Sequence, residues 1–168
     1  EGFIYVPFND LQALEAAISA KTCGVMLEPI QGEGGINIPP PDYLRQVREV
    51  CDEKGVLMII DEVQSGFGRT GKIWAHQHFG IKPDILCASK PLAGGLPFAA
   101  TFARSDVMDS VKRGEHSNTF GGNPMVCAAG AAATSYDPYY FVFSDGTSKY
   151  VPCAKSYIII MTDGEPTS

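Results

Sequence analysis

The chain has 168 residues, the length of one ordinary domain, and 45% of them are hydrophobic, enough to bury a sizeable core. With 13 Lys and Arg against 19 Asp and Glu, the net charge of -6 excludes the basic footprint of a nucleic-acid binder and reads simply as solubility. No apolar run is long enough to cross a bilayer, so no membrane association is expected.

The first residue is Glu1 rather than Met, and no charged leader with an apolar core follows it, which reads as a fragment rather than a processed secretory chain. Cys23, Cys51, Cys87, Cys127 and Cys153 are scattered, without CxxC or paired metal-ligand spacing. They read as small core residues of a reducing, cytoplasmic compartment.

In chain order, Asn9 or Asp10 can cap a helix in which Leu11, Leu14 and Ile18 recur on one face, and Val25-Met26-Leu27 follows as a short buried strand. That strand ends at Glu28-Pro29. Gly32, Gly34 and Gly35 then make a loop able to approach a ligand closely, or merely a turn. After three prolines, Leu44, Val47 and Cys51 mark one face of a second helix, ended by Lys54 and Gly55. Strand, helix and strand in succession predict a right-handed crossover and a parallel sheet, hence an α/β fold.

Five apolar residues, Val56 to Ile60, predict a strand buried on both faces, stopped by Asp61 and Glu62. A further apolar run, Ile85 to Ala88, ends at Ser89-Lys90. A carboxylate and an amine are thus brought to the carboxyl edge of one sheet, where open α/β sheets bind ligands. An Asp and a Lys so placed suit pyridoxal phosphate (PLP), whose aldehyde needs an amine and whose ring nitrogen needs an anion. The plainer alternatives are a helix-capping Asp and a solvated Lys.

Beyond these strands, Ser105 or Asp106 caps a short helix carrying Val107, Met108 and Val111. A last helix, from about Pro124 to Thr134, is Ala-rich and apolar almost all round, and should be buried.

Other motifs compete less well. Gly66 to Lys72 fits GxxxxGK, but Ile73 stands where a P-loop needs Ser or Thr for Mg²⁺, and the loop follows the acidic strand instead of preceding it. His76 and His78 lack companion ligands at zinc-site spacing and read as surface histidines; no metal site is expected. The pairs Gly94-Gly95 and Gly121-Gly122 lack the order of a dinucleotide fingerprint and fit turns beside a bound cofactor.

Four stretches resemble, in order, the class III or ornithine-type aminotransferases: LEPIQGEGG (Leu27 to Gly35), IIDEVQSGFGRTGK (Ile59 to Lys72), PDILCASKPLAGGLPFAA (Pro83 to Ala100) and GEHSNTFGGNP (Gly114 to Pro124). The likeness covers about Phe3 to Thr134 and is strongest to acetylornithine and ornithine aminotransferases. It implies part of the large domain of the fold-type I PLP-dependent transferases, a mostly parallel doubly wound sheet, truncated at both ends. It also implies PLP as cofactor, amino-acid and 2-oxo-acid substrates such as N-acetylornithine or ornithine with 2-oxoglutarate, and a homodimer in the full-length family. The 4-aminobutyrate transaminases and aminomutases share the same motifs.

By this resemblance, Lys90 is the catalytic lysine, Asp61 pairs with the ring nitrogen, Val63 packs on a ring face and Gln64 bonds the phenolic oxygen. Thr119 would reach the phosphate of the neighbouring subunit's cofactor, with Asn118 before it on the substrate side; the alternative is an ordinary strand threonine. Glu33 matches a gate glutamate that pairs with a substrate-binding arginine, or is an exposed loop charge.

From Ser135 the composition shifts, so that residues 1–134 read as a partial PLP-binding domain and 135–168 as a divergent tail. Within the tail, Cys153 to Thr167 resembles the inner strand of von Willebrand A-type domains in type IV pilus tip adhesins, and equally reads as a plain strand and turn. Asp163 would belong to a metal site in those domains, but the accompanying DxSxS is absent. An inert truncated fusion with an adhesin-like binding segment is therefore the alternative to an enzyme.

Overall fold

The structure is a computed structural model that describes residues 2–112, 115 and 121–135. Its chain divides into two compact units, Glu1–Ile85 and Leu86–Ser168.

The first unit opens with α1 (Leu11–Ala17), where the Asp10 carboxylate accepts from Ala13 N at 2.9 Å and so satisfies an amide the first turn leaves open. Strand β1 (Gly24–Leu27) follows, then α2 (Tyr43–Lys54), then β2 (Leu57–Asp61). β1 and β2 pair in parallel, with Gly24 opposite Leu57 and Leu27 opposite Ile60. A parallel pair requires a crossover, and α2 is its helix.

The apolar stripe predicted for α2 is the centre of the core. Leu44, Val47 and Cys51 are wholly buried and pack with Leu14, Tyr43, Val56, Met58, Ile60, Phe79 and Ile81. Each large aliphatic side chain so buried contributes roughly 1.5–3 kcal/mol. The helix stops at Gly55, whose backbone is left-handed at φ 66°.

Two strand expectations are corrected. Met58 and Ile60 of β2 are buried, but Leu57, Ile59 and Asp61 are only half-buried, because α2 and its partners cover one face of the strand. In β1, Met26 is 58% exposed, so that strand is not a buried one. An uninterrupted apolar run conceals this alternation, since both faces carry the same residue type.

Asp84 ties this unit together. Its amide donates to Met58 O at 2.9 Å, and its carboxylate accepts from Met58 N at 2.6 Å and from Arg48 Nη1 of α2 at 2.8 Å.

In the second unit β3 (Ile85–Ala88), which begins at the junction, leads into a 3₁₀ turn, Lys90–Ala93, and then into β4 (Ala100–Ala103), a neighbour of β3 in the sheet. A short α3 (Ser105–Met108) starts with Arg104 at its cap, one residue before the expected position. α4 (Pro124–Ser135) matches the last predicted helix, and Asn123 Oδ1 accepts from the amides of Met125 and Val126 at its start. It packs against the Lys90–Ala93 turn. Contrary to expectation its first turns are not buried all round: Val126 is covered, whereas Met125 is 66% exposed.

Candidate active site

The acid that ends β2 begins a braced loop. Asp61 is half-buried, and its Oδ1 accepts from Val63 N at 2.9 Å, turning the chain sharply out of the strand. Among the described residues Oδ2 has no hydrogen-bond partner and no cation pairs with the carboxylate. Three residues on, half-buried Gln64 donates from Nε2 to Glu33 Oε1 at 3.1 Å.

Glu33 is exposed and sits in a hairpin closed by reciprocal backbone bonds between Gln31 and Asn37. The half-buried Glu28 carboxylate accepts from Gly32 N at 3.1 Å and so pins the start of that hairpin. A Cβ on Gly32 would lie 3.0 Å from Gln64 Cγ, so glycine permits the close approach of hairpin and side chain.

The next residue, Glu62, was not singled out from the sequence, yet it is the most elaborately bonded carboxylate of the loop. It is 1% exposed. Oε2 accepts from Ser65 Oγ at 2.6 Å and Ala75 N at 3.0 Å; Oε1 accepts from His76 N at 2.8 Å and His76 Nδ1 at 3.0 Å. Burial by itself would raise the pKa of Glu62, but hydrogen bonds from His76, Ser65 and the backbone outweigh it and hold the carboxyl below its ordinary value. His76 is therefore a buried partner and not a surface histidine, while His78 is exposed as expected.

The stretch from Gly66 to Lys72, which mimics a P-loop in sequence, is a plain turn region whose Phe67 ring packs edge-on against Trp74 at 4.8 Å. A Cβ on Gly66 would stand 2.7 Å from Glu62 O and 2.9 Å from Trp74 Cζ3; only glycine fits there.

Lys90 lies in the second unit, exposed, two residues past the end of β3, with a left-handed backbone at φ 50°. A non-glycine residue in that region is uncommon. Before it, Ser89 Oγ donates to Phe98 O at 2.9 Å, and after it Leu92 and Ala93 are buried. The glycine pair Gly94-Gly95 has positive φ at both positions, as a tight turn requires.

The structure thus brings Glu33 and Gln64 together and places both in one unit with Asp61 and Val63. Asn118 and Thr119 lie outside the described residues, as does the tail with Cys153. The expectation for the cysteines holds for Cys51, which is buried; Cys23 is exposed, and Cys87 and Cys127 are partly covered. Among the described residues no cluster of His, Cys, Asp and Glu could hold a metal ion, and no helix is long and apolar enough to cross a membrane.

Solved structures define the class to which this fold belongs, that of the aminotransferases. An acetylornithine aminotransferase from Elizabethkingia anophelis superposes with a TM-score of 0.73 at 45% identity, over 78% of this chain and 34% of that one. An ornithine aminotransferase from Toxoplasma gondii, whose structure shows partial occupancy of PLP at its active site, gives a TM-score of 0.73 at 45% identity, over 77% and 31%. The chain belongs to the aminotransferase class-III family, whose profile matches residues 5–136. The acetylornithine aminotransferase of Methanocaldococcus jannaschii is 49% identical over 132 residues, which are 79% of this chain and 33% of that enzyme. The chain thus spans about a third of the length of the curated relatives it matches. Its fold is accordingly part of the α/β large domain of the fold-type I transferases, a PLP-dependent group.

Proposed function

We propose that the protein transaminates an amino-acid substrate such as N-acetylornithine or ornithine with 2-oxoglutarate, using PLP and working as a cytoplasmic homodimer. The observation that carries this reading is the half-buried Asp61 at the end of β2, with Oδ2 unpartnered among the described residues. Such an oxygen fits a protonated ring nitrogen, and the Gln64 amide in the same unit is a donor for another polar atom of the cofactor. PLP supplies an aldehyde that condenses with amines and a ring that accepts electrons from a carbanion.

Lys90 Nζ is the amine for that aldehyde. Lys90 would also serve as the base for the proton of the substrate carbon, a task only an uncharged amine can perform. Asp61 holds the proton on the ring nitrogen, an interaction that gains strength as negative charge develops. Val63 would pack against the cofactor's ring and Gln64 would offer its amide to the phenolic oxygen. Glu33, already tied to Gln64, would guard the substrate side, and by resemblance to the family Asn118 would share that role and Thr119 would contact the phosphate of the partner copy's cofactor.

In this reading residues 1–134 form part of the PLP-binding domain and 135–168 a separate segment, and the chain by itself holds too little of the site to turn over. The test is a chimaera in which residues 5–136 replace the matching segment of the Methanocaldococcus jannaschii enzyme. Borohydride reduction with PLP should label Lys90. Label on Lys72 or Lys82 instead, or none on this segment, would overturn the assignment.

A further inference from the structure

The buried carboxylate of Glu62 is unused by the reaction proposed above, yet it organises the residues that reaction needs. It lies between Asp61 and Val63, and its four donors come from two directions: Ser65, one turn ahead, and the Ala75-His76 amides with the His76 ring, thirteen and fourteen residues on. Glu62 O also accepts from Gly66 N at 2.9 Å. Gly68 N donates to Ile73 O at 3.3 Å, and the Phe67–Trp74 contact fills the enclosed space. The loop from 62 to 76 is thus a closed ring fastened at one carboxylate.

We propose that Glu62 is a positioning residue: by clamping Ser65 and the Ala75-His76 segment it fixes the turn that aims the Asp61 carboxylate and the Gln64 amide. This rests on the cofactor roles proposed for those two residues, but the clamp itself does not. A buried anion with four donors has a single favourable orientation, since any rotation strands a donor away from water. The backbone on either side inherits that orientation. Asp61 has only its bond to Val63 N among the described residues, and Gln64 only its bond to Glu33, so neither can hold the turn alone. The depressed pKa of Glu62 keeps the clamp charged at neutral pH.

The test compares Glu62→Gln with Val47→Ala, a core substitution on α2 that leaves all four donors to the carboxylate in place, and with Ser65→Ala, which removes one strap and spares the carboxylate. In the full chain without cofactor, amide hydrogen exchange at residues 63–66 and 75–76 should quicken about tenfold or more in Glu62→Gln, less in Ser65→Ala, and no more than the rest of the fold in Val47→Ala. Exchange at those amides rising equally in Glu62→Gln and Val47→Ala, or unchanged in Glu62→Gln, would overturn the clamp.

In the chimaera with PLP, Glu62→Gln should lower kcat by roughly 10- to 100-fold with little change in KM and shift the cofactor's visible absorbance, as misdirected groups do. A normal kcat and spectrum alongside loosened exchange would overturn the positioning role. Failure of the unsubstituted chimaera to label Lys90 would instead sink the cofactor reading, while the exchange comparison would still decide the clamp.

Discussion

Gln64 Nε2 donates to Glu33 Oε1 at 3.1 Å, joining the loop after β2 to the hairpin after β1 across 31 positions of sequence. The two loops follow the carboxyl ends of paired parallel strands, so sheet register brings them together. Replacing Gln64 by Glu would set two carboxylates against one another at that contact. The hairpin should then detach: exchange at Gly35 and Ile36, whose amides donate to Gly32 O, should speed up. Global stability should change by no more than about 0.5 kcal/mol, as the contact is at the surface. Unaltered exchange would mean that Glu28 and the Gln31–Asn37 pairing hold the hairpin without Gln64.

Acid should unfold the first unit partly through Glu62. Folding holds that carboxyl below its ordinary value, so in the window between the two values the unfolded chain binds more protons than the folded one. The stabilisation is complete above the ordinary carboxylate range, about pH 4.3, and is lost as pH falls through the lowered folded value. Urea titrations over a pH series should show this slope in the parent chain and a flatter acid limb in Glu62→Gln. Equal slopes would place the acid sensitivity elsewhere.

Much of this fold was legible in the sequence because its signals are local. Asp10 announces α1, the spacing of Leu44, Val47 and Cys51 gives the inner face of α2, and Gly55 gives its end. Asp61 was likewise visible, as a charge that abruptly ends an apolar run. Glu62 was not, because nothing in an Asp-Glu pair says which acid turns inward, and three of its four donors belong to residues 75 and 76. The same non-local bonds explain His76, which reads as a surface residue until its partner is known. Met26 and Met125 were misjudged for a different reason: apolar character sets what can be buried, and packing sets what is.

Arg48 and Asp84 should carry a large share of the first unit's stability. The pair is nearly buried, with side chains 14% and 5% exposed, and the same carboxylate caps Met58 N. Burial would lower the pKa of Arg48, but its bonds to Asp84 and Asp52 prevail and raise it, so the guanidinium stays charged. Asp84→Ala leaves the Met58 amide without its acceptor and Arg48 with the exposed Asp52 alone, and should cost roughly 3–5 kcal/mol by urea unfolding. Asp84→Asn should cost less, because its carbonyl can still accept. A loss under about 1 kcal/mol for Asp84→Ala would show that water reaches the site.

Thiol reactivity should separate the cysteines. Burial pushes the Cys51 thiol up to about 11, whereas Cys23 is exposed. The thiolate is the reactive form, so iodoacetamide at about pH 8 should modify Cys23 well before Cys51 in the folded chain. Denaturant should abolish the difference. Early label on Cys51 by peptide mapping would mean that α2 separates from β2 far more often than its packing implies.

The most direct check of the proposed chemistry is Asp61→Asn in the chimaera. Asparagine keeps the size of the side chain, and its carbonyl can still accept from Val63 N, so the turn out of β2 should survive. What disappears is the negative charge proposed to face the ring nitrogen. PLP should still be captured on Lys90, because that capture needs the amine and the phosphate contacts but not the carboxylate. Proton removal from the substrate carbon should suffer, since the asparagine would offer no charge to balance the negative charge that step develops. Loss of one such preorganised partner lowers kcat by ~100-fold or more. Stopped-flow measurement of the half-reaction, with borohydride labelling as the control for capture, separates these steps. Turnover close to the parent's would reduce Asp61 to a turn-forming residue and leave the ring nitrogen's partner to be found elsewhere. Loss of both capture and turnover would point to a collapsed loop, and exchange at Val63 and Gly66 would reveal it.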